Sequence, residues 1–293
     1  MKFVVTSDWH IKKENPEYRV DNYLETALKK VQFIIDHANK NDARVLIAGD
    51  IFDSPRVGFY VLNRLMEILR TANEPPIVCY GNHDTTFHSA DLTKTPYHNL
   101  LVSGTVVEGA DLGDVVIHPV GWECTDVSPI ENEVNILLGH IPTFESTVPF
   151  WSENGKTPTT LKRAFPGFDY YIVGDIHTPF VKKNVINPGS LLRSGIDQYD
   201  YEPRIYELCT DKGTINEVKI PIEPAASVFD TPKKTMADTR DVKALNEFIA
   251  TLQSDQKEKP NFKNTLSSVV KQSEAPEPVV KIISDILEEV YGR

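Results

Sequence analysis

The chain has 293 residues, 40% of them hydrophobic and 25% charged, which excludes collagen-like, disordered and disulfide-scaffold classes and suits one large domain with an appendage. Acidic residues number 42 against 31 basic ones, a formal charge of −11, so a polyanionic partner would have to be held by a local patch or a bound cation. Cys79, Cys124 and Cys209 show no C-x-x-C spacing, so neither a disulfide framework nor a thiolate zinc site is expected, and a reducing, cytoplasmic setting fits. Asp8 arrives before a signal-peptide core could form, and no stretch approaches the roughly 18 apolar residues of a membrane span, so no membrane association is expected.

Residues 3–6 form a short β-branched run that stops at Ser7-Asp8, the pattern of a buried strand delivering a polar group at its C-terminal end. Leu24, Ala27, Leu28, Val31, Ile34, Ile35 and Ala38 then recur at steps of three and four, which predicts an amphipathic helix. A second strand over 45–48 ends at Gly49-Asp50. A second helix carries Val61, Leu62, Leu65, Ile68, Leu69 and Ala72, and a third strand over 77–80 ends at Gly81-Asn82-His83-Asp84. This βαβαβ order predicts a parallel sheet covered by helices.

Strands are predicted next over 102–107, 115–120, 134–138, 170–173, 185–186 and 204–220, the last broken by a turn at Asp211-Lys212-Gly213. Two of these runs end as the first three do, at Gly139-His140 and Gly174-Asp175-Ile176-His177. Asn187-Pro188-Gly189-Ser190 is read as a tight turn between strands. Prolines 221, 224 and 232 mark a boundary near 222, separating a domain over 1–222 from a linker and C-terminal helical extension over 223–293. Helical patterns through Val242 to Leu252 and Val279 to Val290 would pack on the core or dock a partner.

The strand ends carry Asp8 and His10, Asp50 and Asp53, Asn82 and His83, His140, and Asp175 and His177. In open α/β sheets ligands gather outside the carboxyl ends of strands, so residues far apart in sequence can converge there. Carboxylate, imidazole and amide oxygen form a mixed donor set suited to first-row divalent ions, and the candidates exceed what one catalytic ion takes. Two ions sharing a bridging carboxylate is the economical expectation. His37, His88, His98 and His118 lack this setting and are read as structural or solvated.

Asp8-Trp9-His10, Gly49-Asp50-Ile51-Phe52-Asp53, Gly81-Asn82-His83-Asp84, Gly139-His140 and Gly174-Asp175-Ile176-His177, in that order over about residues 1 to 200, resemble the five motifs of the calcineurin-like metallophosphoesterases. The opening motifs are most similar to SbcD-type DNA nuclease subunits. The resemblance implies an α/β fold, a two-sheet β-sandwich flanked by helices, with the short C-terminal extension as a reduced cap or docking segment. It implies that Asp8, His10 and His177 hold one metal, Asn82 and His140 another, and that Asp50 bridges, with two divalent ions, manganese foremost. Asp175 stands where the family usually has histidine, and is read as a carboxylate ligand rather than a water-backed acceptor. His83 is placed at the phosphate or leaving oxygen, with the Asp53 carboxylate orienting it. The implied activity is metal-dependent phosphodiester hydrolysis, a DNA exo- or endonuclease working with an SMC-like coiled-coil ATPase of the SbcC type in recombination or repair, with room for a homodimer. The alternatives are a phosphatase or phosphodiesterase on small-molecule or phosphoprotein substrates, and a non-catalytic interaction module of the same fold.

Overall fold

The computed structural model describes residues 1–86, 91–122, 127–149 and 152–230. In chain order the first half contains β1 (Lys2–Thr6), α1 (Tyr23–Asn41), β2 (Arg44–Ala48), α2 (Phe59–Leu69), β3 (Ile77–Cys79), α3 (Pro96–Val102), β4 (Val107–Glu108), β5 (Ala110–Asp111), β6 (Val115–Val120) and β7 (Val134–Gly139). There follow α4 (Pro158–Ala164), β8 (Tyr170–Val173), β9 (Phe180–Lys182), β10 (Val185–Asn187), β11 (Arg204–Cys209), β12 (Thr214–Lys219) and the single turn α5 (Ala225–Val228).

The strands build two six-stranded sheets, ordered β12-β11-β1-β2-β3-β4 and β5-β6-β7-β8-β10-β9. Strands β1 to β4 pair in parallel, as βαβ crossovers require, and β11 closes antiparallel on β1. In the second sheet β6, β7, β8 and β10 are parallel, with β5 and β9 as antiparallel edges. The two-residue alternation of a strand sorts the apolar side chains between layers. Phe3, Val5, Leu46, Ala48, Ile77 and Cys79 face Ile117, Ile136, Leu138 and Ile172 between the sheets. Val4, Val45, Ile47 and Val78 meet the α1 and α2 stripes on one outer face, and Leu137, Tyr171 and Val173 meet Leu161 of α4 on the other. The result is the expected sandwich with helices outside.

One predicted strand is corrected. Of residues 102–107, Val102 ends helix α3 and only Val107 enters β4. Thr95 caps that helix through its hydroxyl and Pro96 follows at a first-turn position, the pairing repeated by Thr157 and Pro158 at α4. Residues 225–230 fold against the domain: Val20 N–H donates to the Val228 carbonyl at 2.9 Å, and the Phe229 ring lies 5.6 and 5.7 Å from the guanidiniums of Arg19 and Arg193. The helical patterns expected near 242–252 and 279–290, with Cys124 and His88, lie outside the described residues. No helix among the described residues is long and apolar enough to cross a membrane.

Candidate metal centre

The loops that leave β1, β2 and β8 hold non-glycine residues in the left-handed region: Asp8 (φ 49°), His10 (46°), Asp50 (50°) and Asp175 (84°). Such conformations cost free energy and persist only where surrounding bonds over-determine them. Here the first two loops are zipped together. Trp9 and His10 N–H donate to the Asp50 carbonyl at 2.9 and 3.0 Å, and Ile11 N–H to Ile51 at 3.0 Å. Trp9 is fully buried, its indole donating to Thr6 Oγ1 at 2.9 Å. Glycine is needed where backbone meets ligand: at Gly49 (φ 86°) a Cβ would overlap the His140 imidazole, and at Gly81 it would overlap the Asp50 carboxylate.

Two clusters of ligand atoms result. In the first, His10 Nε2 and His177 Nε2 lie 3.1 Å apart, each 3.9 Å from Asp8 Oδ1. In the second, His140 Nε2 lies 3.0 Å from Asn82 Oδ1, 3.4 Å from Asp50 Oδ2 and 3.7 Å from Asp175 Oδ1. Asp50 Oδ2 is also 3.6 Å from His10 Nε2, while its other oxygen accepts the His83 backbone N–H at 2.9 Å. One carboxylate oxygen therefore faces both clusters. Asp8 and Asp175 join the sheets, since Asp175 N–H donates to both Asp8 oxygens at 3.1 and 3.3 Å.

This donor set fits divalent cations. His140 Nδ1 lies 2.9 Å from the Ala48 carbonyl and must donate to it, so in the neutral ring Nε2 turns a lone pair toward three oxygens. Such a convergence of acceptors is stable only around a positive charge. Asp8 with His10 and His177, His10 with Asp50 and His83, and Asp8 with Asp50 and His140 each place three ligand atoms within 4.8 Å of one another. The same demand for positive charge shows in the protonation pattern of the cation-free site, where the His140 ring itself carries the proton. Burial opposes charge at His140, yet Asp50, Asp8 and Asp175 lift its pKa to about 10. Burial pushes His10 down to about 3 against the pull of Asp50. Burial also raises Asp8 and Asp175, whereas Asp50, despite burial, is held below the usual carboxylate range by His140, His10 and His83.

All nine residues singled out in the sequence lie in or around this centre, with one contact to correct. The Asp53 carboxylate does not meet His83. His83 Nδ1 lies 2.8 Å from the backbone carbonyl of Asp53, and the carboxylate is drawn to Lys12 Nζ at 3.1 Å. A carbonyl acceptor fixes the His83 tautomer by holding the proton on Nδ1. A second correction concerns Asn187-Pro188-Gly189-Ser190, which backs the site rather than forming a simple turn. Ser7 Oγ donates to the Gly189 carbonyl at 3.0 Å, Ser190 N–H to His177 at 3.3 Å and Leu191 N–H to Asp8 at 3.1 Å.

Asp84 had no role in the sequence reading, yet it is buried and ties two site loops together. Its carboxylate accepts N–H groups from Gly81 (3.0 Å), Ile51 (3.3 Å) and Phe52 (3.1 Å). His37 pairs with Glu207 at 2.8 Å and His118 with Asn135 at 2.7 Å, both structural. A hollow of about 520 Å³ adjoins Asp175 and His177, walled by Phe144, Pro179 and Phe180.

Residues 1–179 match the calcineurin-like phosphoesterase family. A DNA double-strand break repair protein Mre11 from Aeropyrum pernix is 23% identical over 247 residues, 71% of this chain. The match takes in only 58% of that relative's length. A solved structure of a novel archaeal phosphodiesterase is similar at 17% identity and a TM-score of 0.42, over 75% of this chain and all of the other.

Proposed function

The chain belongs to the calcineurin-like phosphoesterases and is a phosphoester hydrolase, and from that premise we propose that it is a two-metal DNA nuclease that cleaves phosphodiesters. The observation that carries this reading is Asp50 Oδ2, set between a His10-centred and a His140-centred cluster as a bridging ligand would be. Asp8, His10 and His177 would hold one cation, Asn82, His140 and Asp175 the other. Manganese suits this mixture of carboxylate, imidazole and amide donors. Bound cations would acidify a water near neutral pH and offset charge on the phosphate oxygens.

The protein's own groups supply positioning. Asp8, Asp50 and Asp175 bring three negative charges against four positive from two dications, leaving about one positive charge for a phosphodiester. A His83 ring nitrogen lies within 4.8 Å of ligand atoms of Asp50 and His10, close enough to stabilise or protonate a leaving oxygen. DNA as substrate, and an SMC-like ATPase as partner, rest on the likeness to the Mre11 protein and to SbcD-type subunits; the acidic chain gives an assisting partner a clear purpose.

A second reading, a phosphodiesterase for small substrates, is favoured by the hollow beside His177, which has no lysine or arginine among its described lining residues and two phenylalanines in its wall. Manganese-supplemented assays on single- and double-stranded DNA, bis(p-nitrophenyl) phosphate and p-nitrophenyl phosphate, with and without a coiled-coil ATPase, separate the two. The nuclease reading expects cleaved DNA, stimulated by the ATPase. Turnover of the small diester with DNA left intact in every condition refutes it.

A further inference from the structure

His10 presents Nε2 to Asp8, Asp50 and His177, so for that nitrogen to ligate a cation the ring's proton must sit on the opposite one. That nitrogen, Nδ1, is buried and has no hydrogen-bond partner. One carboxylate oxygen faces it: Asp53 Oδ1, at 3.7 Å. The other oxygen of Asp53 is gripped by Lys12 at 3.1 Å, and Lys12 in turn lies over the Tyr23 ring, 5.5 Å from its centroid. Backbone bonds keep the two loops in register here, with Asp53 N–H donating to the Ile11 carbonyl at 3.3 Å. His83 uses only the main-chain oxygen of Asp53, which leaves the carboxylate free of that imidazole.

We propose that Asp53, steadied by Lys12, is a positioning residue for His10: its carboxylate receives the Nδ1 proton and so fixes the tautomer and ring plane that turn Nε2 toward the cation. A ligating histidine almost always gives its second N–H to such an acceptor, and loss of that acceptor typically weakens metal affinity about 10- to 100-fold. A shift of less than one ångström closes the gap to ordinary hydrogen-bond length. The assignment rests on the two-cation reading and moves Asp53 from the acid group to the metal-holding group.

The test is Mn²⁺ titration calorimetry on the full chain as wild type, Asp53→Ala, Asp53→Asn and Lys12→Met, beside long-range ¹H–¹⁵N spectra of the imidazoles in metal-free protein. Asp53→Ala should weaken the tighter Mn²⁺ site about 10- to 100-fold and convert the His10 ring from a single Nδ1–H tautomer to a mixture. Asp53→Asn, which keeps an acceptor oxygen, should lose less, and Lys12→Met should shift affinity in the same direction. Asp53 is partly exposed, and thermal melts in chelator establish that each variant is folded. Wild-type affinity and an unchanged His10 spectrum in Asp53→Ala overturn the assignment, as does an effect confined to kcat. A wild-type chain that takes up no Mn²⁺ overturns instead the two-cation reading beneath it.

Discussion

Replacing Asp84 with alanine tests whether the site loops are held by this buried carboxylate. Its two oxygens accept three backbone N–H groups, from Gly81, Ile51 and Phe52, and all three residues are buried, so water cannot readily take its place. Each donor left unsatisfied in the interior costs about 1–3 kcal/mol. The sum is reduced because the substitution also removes a group whose pKa burial and the nearby Asp50 raise to about 7, a sign that the carboxylate is itself uncomfortable there. A net loss of about 3–5 kcal/mol is expected, which for a domain of this size lowers Tm by roughly 6–20 °C. Urea denaturation in chelator, followed by tryptophan fluorescence and far-ultraviolet circular dichroism, measures it. Asp84→Asn should lose less, since an amide oxygen can keep the Gly81 and Ile51 N–H groups while its NH2 confronts only that of Phe52. A loss below 1 kcal/mol in Asp84→Ala would refute the bracing argument.

Three further outcomes are expected. Asp8→Ala, His10→Ala and Asp50→Ala should abolish hydrolysis together with metal binding, whereas His83→Ala should keep its bound metal and lose about 10²- to 10⁴-fold in rate; metal stoichiometry measured beside turnover distinguishes the classes. Gly49→Ala, forced into a left-handed conformation with its methyl against the His140 ring, should disrupt the second cluster and weaken Mn²⁺ binding, read by the same calorimetry. Burial, then Arg193 and Arg19, push Lys30 down to about 7, while an unfolded lysine titrates near 10.4. The unfolded chain thus binds more protons between those values, so this group makes stability rise with pH across that window. Lys30→Met should be a few kcal/mol more stable at pH 6 and should lose that part of the pH dependence in denaturation experiments from pH 6 to 10.

The parts of this architecture written in the sequence are those set by strong local physics. β-Branched runs that stop at a glycine and a polar residue mark where strands end, and the ends of parallel strands share one edge, so Asp8, Asp50, Asn82, His140 and His177 could be grouped before any coordinates. The short helices were harder. α3 and α4 run only seven residues each, too few for an apolar stripe to declare itself, and their signal lay in the Thr-Pro pairs at their starts. Asp53 shows another limit. Its place in the motif located it beside His83, but spacing does not say whether a residue turns its carboxylate or its carbonyl to a neighbour; the charge on Lys12 decides that. Asp84 was hidden for a related reason, because a carboxylate that braces backbone amides reads in sequence like one more candidate ligand.

The seam between Asp8 and Asp175 carries a thermodynamic consequence. One sheet contributes Asp8, His10, Asp50 and Asn82, and the other His140, Asp175 and His177, so a cation seated among them acts as a rivet through both layers of the sandwich. Its affinity adds directly to the resistance of the whole fold to unfolding, by mass action. Stripping the ions should therefore loosen the two layers against each other, and amide exchange along the paired edges would record the slackening as a coupled event.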